Sequence, residues 1–149
     1  MSNETTGNSN KIFIGILLIA LIGSWIYFIN TNNTKTQTIT NFTTEIVRKL
    51  GVLEVAKRAL EHLKDCDQLY ISFDVDSLDS SISLGTGTPV PNGLTVEEAI
   101  QLNAELIKDK RVCCWEIVEV NPTLDSENRM AEIAFEVLEI TTKSLVNHF

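Results

Sequence analysis

LYISFDVDSLD, residues Leu69 to Asp79, changes character half-way along. Leu69 to Phe73 is apolar without the alternation of a half-exposed strand, which suits a strand buried on both faces of a parallel sheet. Carboxylates follow at once, at Asp74, Asp76 and Asp79. A chain that carries acids directly after a buried strand places them at that strand's carboxyl end.

The flanking sequence supplies the rest of the pattern. Upstream, Glu45 to Lys64 reads as an amphipathic helix with Leu53, Ala56, Leu60 and Leu63 at helical spacing and Gly51 interrupting its start. Downstream, Asp74 to Gly93 holds Gly85, Gly87, Pro89, Pro91 and Gly93 and reads as a long loop. Thr95-Val96-Glu97-Glu98 has the form of a capping box, followed by Ala99, Leu102 and Leu106 on one helical face. Arg111 to Val120 (RVCCWEIVEV) reads as a second strand and Asn121 to Asp125 as a loop. Asp125 can cap a last helix with Ala131, Ala134, Phe135 and Leu138 as its apolar stripe. Helices alternating with strands indicate an α/β layer fold with a parallel sheet. Such sheets bind ligands beyond the carboxyl ends of their strands.

The amino-terminal third has a different texture. Ile12 to Ile29 (IFIGILLIALIGSWIYFI) carries no charge. As one helix it would extend about 27 Å, close to the hydrocarbon thickness of a bilayer. Trp25 and Tyr27 stand near one end, where amphipathic rings favour the interface. A transmembrane helix is therefore expected at 12–29, against the alternatives of a signal peptide or a core helix. The expected organisation is a tail at 1–11, the spanning helix at 12–29, an Asn/Thr-rich linker at 30–44 and a folded region at 45–149. Lys35, Arg48 and Lys49 on the carboxyl side outweigh Lys11 and place the folded part in the cytoplasm under the positive-inside rule. A single-pass, membrane-anchored protein is the expected localisation. Three cysteines, Cys66, Cys113 and Cys114, lack zinc-site spacing and are expected as buried, reduced thiols. A formal net charge of -8 argues against nucleic-acid binding, which needs a basic surface.

At the strand end, alternate residues of an extended backbone share a face, so Asp74 and Asp76 can converge. Converging carboxylates repel, and a divalent cation offsets that cost; hard oxygen ligands suit manganese or magnesium. A solvated Asp-rich turn is the plain alternative. An EF-hand loop starting at Asp74 fails, because Leu78 and Asp79 occupy its fifth and sixth positions. A magnesium-dependent phosphatase of the haloacid-dehalogenase type also carries D-x-D after an apolar strand and remains a further reading, with Leu78 a departure from it.

The stretch SFDVDSLDSSISLGTGTPVPNGLT, Ser72 to Thr95, resembles the ureohydrolase family of arginases and agmatinases. A second segment, Glu119-Val120-Asn121-Pro122 followed by Asp125, Asn128 and Ala131, is similar to arginases in particular. The resemblance implies the carboxy-terminal part of a three-layer α/β/α arginase-like fold. It implies manganese, two ions in the intact family site, with Asp74 bridging both and Asp76 a ligand of one. It implies that Glu119 pairs with the substrate guanidinium and that Thr86 and Thr88 line the site in support. The implied reaction is hydrolysis of L-arginine, or a related guanidino compound, to ornithine and urea. No catalytic residue beyond these is assigned.

Part of the family pattern is missing. The G-G-D-H and D-A-H-x-D motifs that supply further metal ligands do not occur, and the histidines are His62 and His148, both expected at the surface. Ser80, Asn92 and Met130 stand where the family usually or often has Pro, Gly and Thr. The chain is thus expected to hold part of the site and to be inactive alone. A homo-oligomer is expected, since a short sheet leaves an open edge. A non-catalytic, membrane-tethered interaction module is the alternative.

Overall fold

The computed structural model describes residues 14–19, 25–31 and 37–146, with side chains from residue 42 onward. Strands β1 (Ile14–Ile19), β2 (Trp25–Thr31) and β3 (Gln37–Thr43) come first. Helices α1 (Thr44–Leu50) and α2 (Val52–His62), strand β4 (Gln68–Asp74), helix α3 (Val96–Leu106), strand β5 (Val112–Val118) and helix α4 (Arg129–Val146) follow. The sheet runs β3-β2-β1-β4-β5. β1, β4 and β5 are mutually parallel, whereas β2 and β3 pair antiparallel.

The apolar run at 12–29 therefore departs from the expected transmembrane helix. Its described residues lie in β1 and β2, and no helix among the described residues is long and apolar enough to cross a membrane. An uncharged run satisfies a spanning helix and a buried strand pair equally well. Its many isoleucines favour strands. The expected linker at 30–44 is corrected likewise, because Gln37–Thr43 forms β3 and Thr44 already opens α1.

Gly51, at φ 85°, divides the first helical stretch into α1 and α2. Thr43 caps α1 by accepting from the Ile46 N–H. α2 buries Val52, Val55, Ala56 and Ala59, with Leu63 just beyond its end, and leaves the expected core residue Leu53 exposed. The capping box of α3 forms as expected, with Thr95 Oγ1 accepting from Glu98 N–H at 3.1 Å and Glu98 Oε2 accepting from Thr95 N–H at 2.9 Å.

α4 is rotated relative to its expected face. Met130, Val137 and Thr141 are buried, whereas Phe135 and Leu138 are 64% and 41% exposed. Asp125 caps α4 across a 3₁₀ turn, accepting from Met130 N–H and Ala131 N–H at 2.8 and 2.9 Å.

β4 is the centre of the core. Leu69, Ile71 and Phe73 face α2, α3 and α4 in one cluster with Val55, Ala59, Leu102, Leu106 and Val137. Val112, Trp115 and Ile117 of β5 pack against the same cluster. The other face of β4 carries Tyr70, Ser72 and Asp74. Ser72 Oγ donates to Glu116 Oε1 at 2.9 Å. Tyr70 also hydrogen-bonds Glu116, which with burial lifts its phenol to about 12. Among the described residues the α2–α4 core cluster covers one face of β4 and β5, so two of the expected three layers are present there.

Candidate active-site rim

The chain turns sharply where β4 ends. Asp74 Oδ1 accepts from the N–H of Asp76 at 2.8 Å, which winds Val75–Ser77 into a 3₁₀ turn. Ser77 Oγ donates to the Asp74 carbonyl at 2.6 Å, and Ser83 Oγ donates to the Val75 carbonyl at 3.0 Å. Buried Val75 and Leu78 anchor the turn in the core. The Asp74 carboxylate is thus aimed by a backbone bond.

A returning loop braces this turn. Leu94 N–H donates to the Ser77 carbonyl at 2.8 Å, and Asp79 N–H donates to the Leu94 carbonyl at 2.9 Å. Gly93 is required here, since a Cβ on it would lie 2.4 Å from the Leu78 carbonyl carbon. Asn92 sits at φ 61°, a conformation glycine adopts freely and asparagine tolerates, which accounts for the family's frequent Gly at this position. α1 holds the loop from outside. Thr44 Oγ1 donates to the Asn92 carbonyl at 2.8 Å, and Arg48 Nη2 donates to the Gly93 carbonyl at 2.6 Å. Nothing in the sequence around Arg48 marks it as a brace.

The expected residues gather as follows. Asp74 is opposite Val118 in the β4–β5 register, so Glu119 follows directly beside it. Glu119 adopts φ 67°, a strained conformation for a non-glycine residue that ends β5 at the rim. Thr88 donates its hydroxyl to Asp76 Oδ2. Asp76 Oδ1 is buried and has no hydrogen-bond partner among the described residues. Thr86 is also buried with an unpartnered hydroxyl, beside Gly85, whose carbonyl accepts from Asn121 N–H at 2.8 Å. Gly85 is pressed against Asp125 and Met130, which ties the loop to the start of α4.

Electrostatics mark the same place. Burial, with the negative charges of Asp76 and Glu119, pushes the Asp74 carboxyl up to about 7; the hydrogen bond from Asp76 N–H opposes the rise. The charges of Asp76 and Glu119 thus both act on Asp74. Asp79 stays apart: its carboxylate accepts from Ser81 Oγ and Ser81 N–H, which hold it below the usual range.

Other features lie elsewhere. A concavity of about 660 Å³ runs beside Leu53, Lys57, Leu60, Glu105 and Arg111. Leu60 and Arg111 put it toward the amino-terminal ends of β4 and β5, and Arg111 there is paired with Asp109 at 2.7 Å. A buried unpartnered carboxylate oxygen is the stronger mark of a site, so the rim is preferred. His62 ends α2 ahead of β4, at the opposite end of the sheet from the rim, and His148 lies outside the described residues. Cys66 is buried as expected, but Cys113 and Cys114 are exposed, because β5 is an edge strand among the described residues.

Residues 18–142 match the Arginase family. The chain belongs to the arginase family. The match begins inside the stretch expected as a membrane anchor, consistent with its place in the sheet. Arginase of Entamoeba histolytica is 38% identical over 89 residues, covering 60% of this chain and 30% of the relative. Arginase of Staphylococcus aureus strain MRSA252 is 39% identical over 107 residues, covering 70% and 34%. The structure of Entamoeba histolytica arginase in complex with L-ornithine superposes with a TM-score of 0.63 at 33% identity, over 67% of this chain and 34% of that one. Bacillus subtilis formimidoylglutamase superposes at 0.66 with 31% identity, over 70% and 33%. This arginase-family chain thus spans about a third of the length of the relatives it matches.

The manganese pair implied by the family can be tested against the residues present. Asp76 Oδ1, buried and without a donor, suits a cation. Among the described residues, however, no group of three or more His, Cys, Asp or Glu side chains is placed to hold a metal ion. The rim does not fit a two-ion centre by itself.

Proposed function

We infer that this chain supplies the acidic part of a ureohydrolase site that takes a guanidino group, L-arginine foremost, for hydrolysis of its C–N bond to ornithine and urea. The reading rests on one observation: Asp76 Oδ1 is a buried acceptor with no donor, at a rim shared with Asp74 and Glu119. A buried carboxylate oxygen calls for a cation or a charged donor. A guanidinium presents planar N–H groups that match a carboxylate edge, and Glu119 is the group the family assigns to it. Thr88 orients Asp76, and the loop around Thr86 forms the adjoining wall. Among the described residues two carboxylate ligands do not complete a manganese pair, and on this reading the remaining ligands come from another arginase-family segment.

The incomplete donor set favours a second reading in which the chain binds the guanidino ligand without turnover. The phosphatase reading is not favoured, because the charges acting on Asp74 are those of Asp76 and Glu119, whereas that chemistry needs a lysine there.

Two measurements on the folded chain test this. L-Arginine should perturb the amide resonances of 74–77, 86–88 and 119–121, and Glu119→Gln should abolish the perturbation. Perturbations confined to other regions would sink the site assignment. Urea release with added manganese should be undetectable for the chain alone; sustained release would show that the chain completes its own site.

A further inference from the structure

Asn92-Gly93 is the single place in the chain where glycine follows asparagine or aspartate. An asparagine before glycine is open to self-modification, because a residue without a Cβ lets its amide nitrogen reach the asparagine side-chain carbon unhindered. Asn92 is exposed and stands at φ 61°. The peptide joining the two residues is held at both ends. Its carbonyl accepts from Thr44 Oγ1 at 2.8 Å. Its N–H, with that of Asn92, also donates to the Asp79 carboxylate, which Ser81 holds most strongly. The next carbonyl, that of Gly93, accepts from Arg48 Nη2 at 2.6 Å. Gly93 itself is pressed against the Leu78 backbone, with no room for a Cβ.

We propose that Asn92 is a deamidation site that the folded rim holds in check, and that its conversion to isoaspartate releases the rim loop. Gly93 N attacks Asn92 Cγ. One C–N bond forms, the carboxamide C–N bond breaks, and the proton of the Gly93 N–H leaves on ammonia. Water then opens the five-membered imide, and nothing is oxidised or reduced. Opening at Cγ gives aspartate. Opening at the former peptide carbonyl gives isoaspartate, in which that carbonyl is a free carboxylate and the main chain runs through the side chain, one carbon longer. Ring closure consumes the N–H that Asp79 holds and turns the carbonyl that Thr44 holds, so the native loop resists the first step. Isoaspartate then sets a carboxylate close to that of Asp79 and lengthens the chain beside Gly93, where Leu78 leaves no room. The bonds from Leu94 N–H to Ser77 and from Asp79 N–H to Leu94 depend on that placement and are lost with it.

Ageing the full chain in buffer, folded and unfolded in urea, tests the proposal, with conversion at Asn92 read by peptide mass mapping. Conversion in urea should be about tenfold faster or more, since folding adds several restraining bonds. Thr44→Val and Arg48→Met each remove one of them and should speed conversion of the folded chain about fivefold, leaving the rate in urea unchanged. The isoaspartyl form, separated by ion exchange and identified with an isoaspartyl methyltransferase, should exchange the amides of Asp79 and Leu94 faster than the fresh chain. Asn92→Gly adopts the same φ without a carboxamide and should keep slow exchange at both through the same ageing. No conversion at Asn92 in urea overturns the site, and equal rates in the folded and unfolded chain overturn its restraint by the rim. Unchanged rates in both brace variants, with the fold intact by circular dichroism, overturn the part given to Thr44 and Arg48. Slow exchange at Leu94 in the isoaspartyl form overturns the release of the loop.

Discussion

Thr88 reaches back twelve residues to donate its hydroxyl to Asp76 Oδ2. This bond closes the loop over the end of β4 and leaves Oδ1 as the free edge of the carboxylate. Because the pair is solvent-exposed, Thr88→Val should cost about 1 kcal/mol or less in stability. Urea unfolding measures that cost. Arginine-induced shifts at 74–77 should weaken more than the stability does, and Thr88→Ser should restore them.

The Asp74 carboxyl, raised to about 7, makes stability depend on pH. In the unfolded chain an aspartate ionises near its ordinary value of about 3.9. The folded state therefore binds the proton more tightly, and this contribution is fully present below about pH 4. It is lost as pH rises through 7. Asp74→Asn keeps the Oδ1 acceptor for Asp76 N–H and removes the charge. It should stabilise the chain at pH 8 by on the order of 1–2 kcal/mol, allowing for solvent screening, and have little effect at pH 4. Denaturant midpoints at the two pH values measure the difference; an equal effect at both would contradict the burial of Asp74.

Gly93 and Gly87 should respond oppositely to alanine. A Cβ at Gly93 would lie 2.4 Å from the Leu78 backbone, whereas one at Gly87 meets nothing within 4 Å. Gly93→Ala should cost about 1–3 kcal/mol through overpacking. Gly87→Ala should be neutral or stabilise by a few tenths of a kcal/mol through the unfolded chain. Amide exchange at Leu78 and Leu94 should accelerate only in the first.

Arg48 donates to the Gly93 carbonyl and pairs with Glu98 at 3.5 Å. Arg48→Met keeps the aliphatic stem and removes both contacts. With the side chain partly exposed, the cost should be about 1–2 kcal/mol. Amide shifts should spread along 92–95 and 77–79, the segments joined by the backbone bonds of Leu94.

Phe73 and Phe135 separate the true core from the apparent one. Phe73 is fully buried and Phe135 is 64% exposed. Phe73→Ala should cost about 3–5 kcal/mol, and Phe135→Ala about 0.5 kcal/mol or less. Thermal unfolding separates these outcomes.

Much was legible along the chain, because it rests on neighbours in sequence. The apolar run before Asp74 marked β4, Thr95 and Glu98 marked the start of α3, and Asp125 marked the approach to α4. The S-F-D-V-D and E-V-N-P segments carried the family, and both acid sets fell at strand ends. Other features depend on what packs where. An uncharged run suits a spanning helix or sheet strands alike, and β4 as a parallel neighbour makes 14–19 a strand. Packing against α3 turned α4 so that Val137 faces inward and Phe135 outward. Residues 48 and 93 meet only when α1 folds back over the loop, and local pattern holds no record of that approach. The sequence determined which chemical groups stand at the strand ends; the tertiary structure decided which of them meet, because hydrogen bonds and burial act across space between segments that periodicity treats separately.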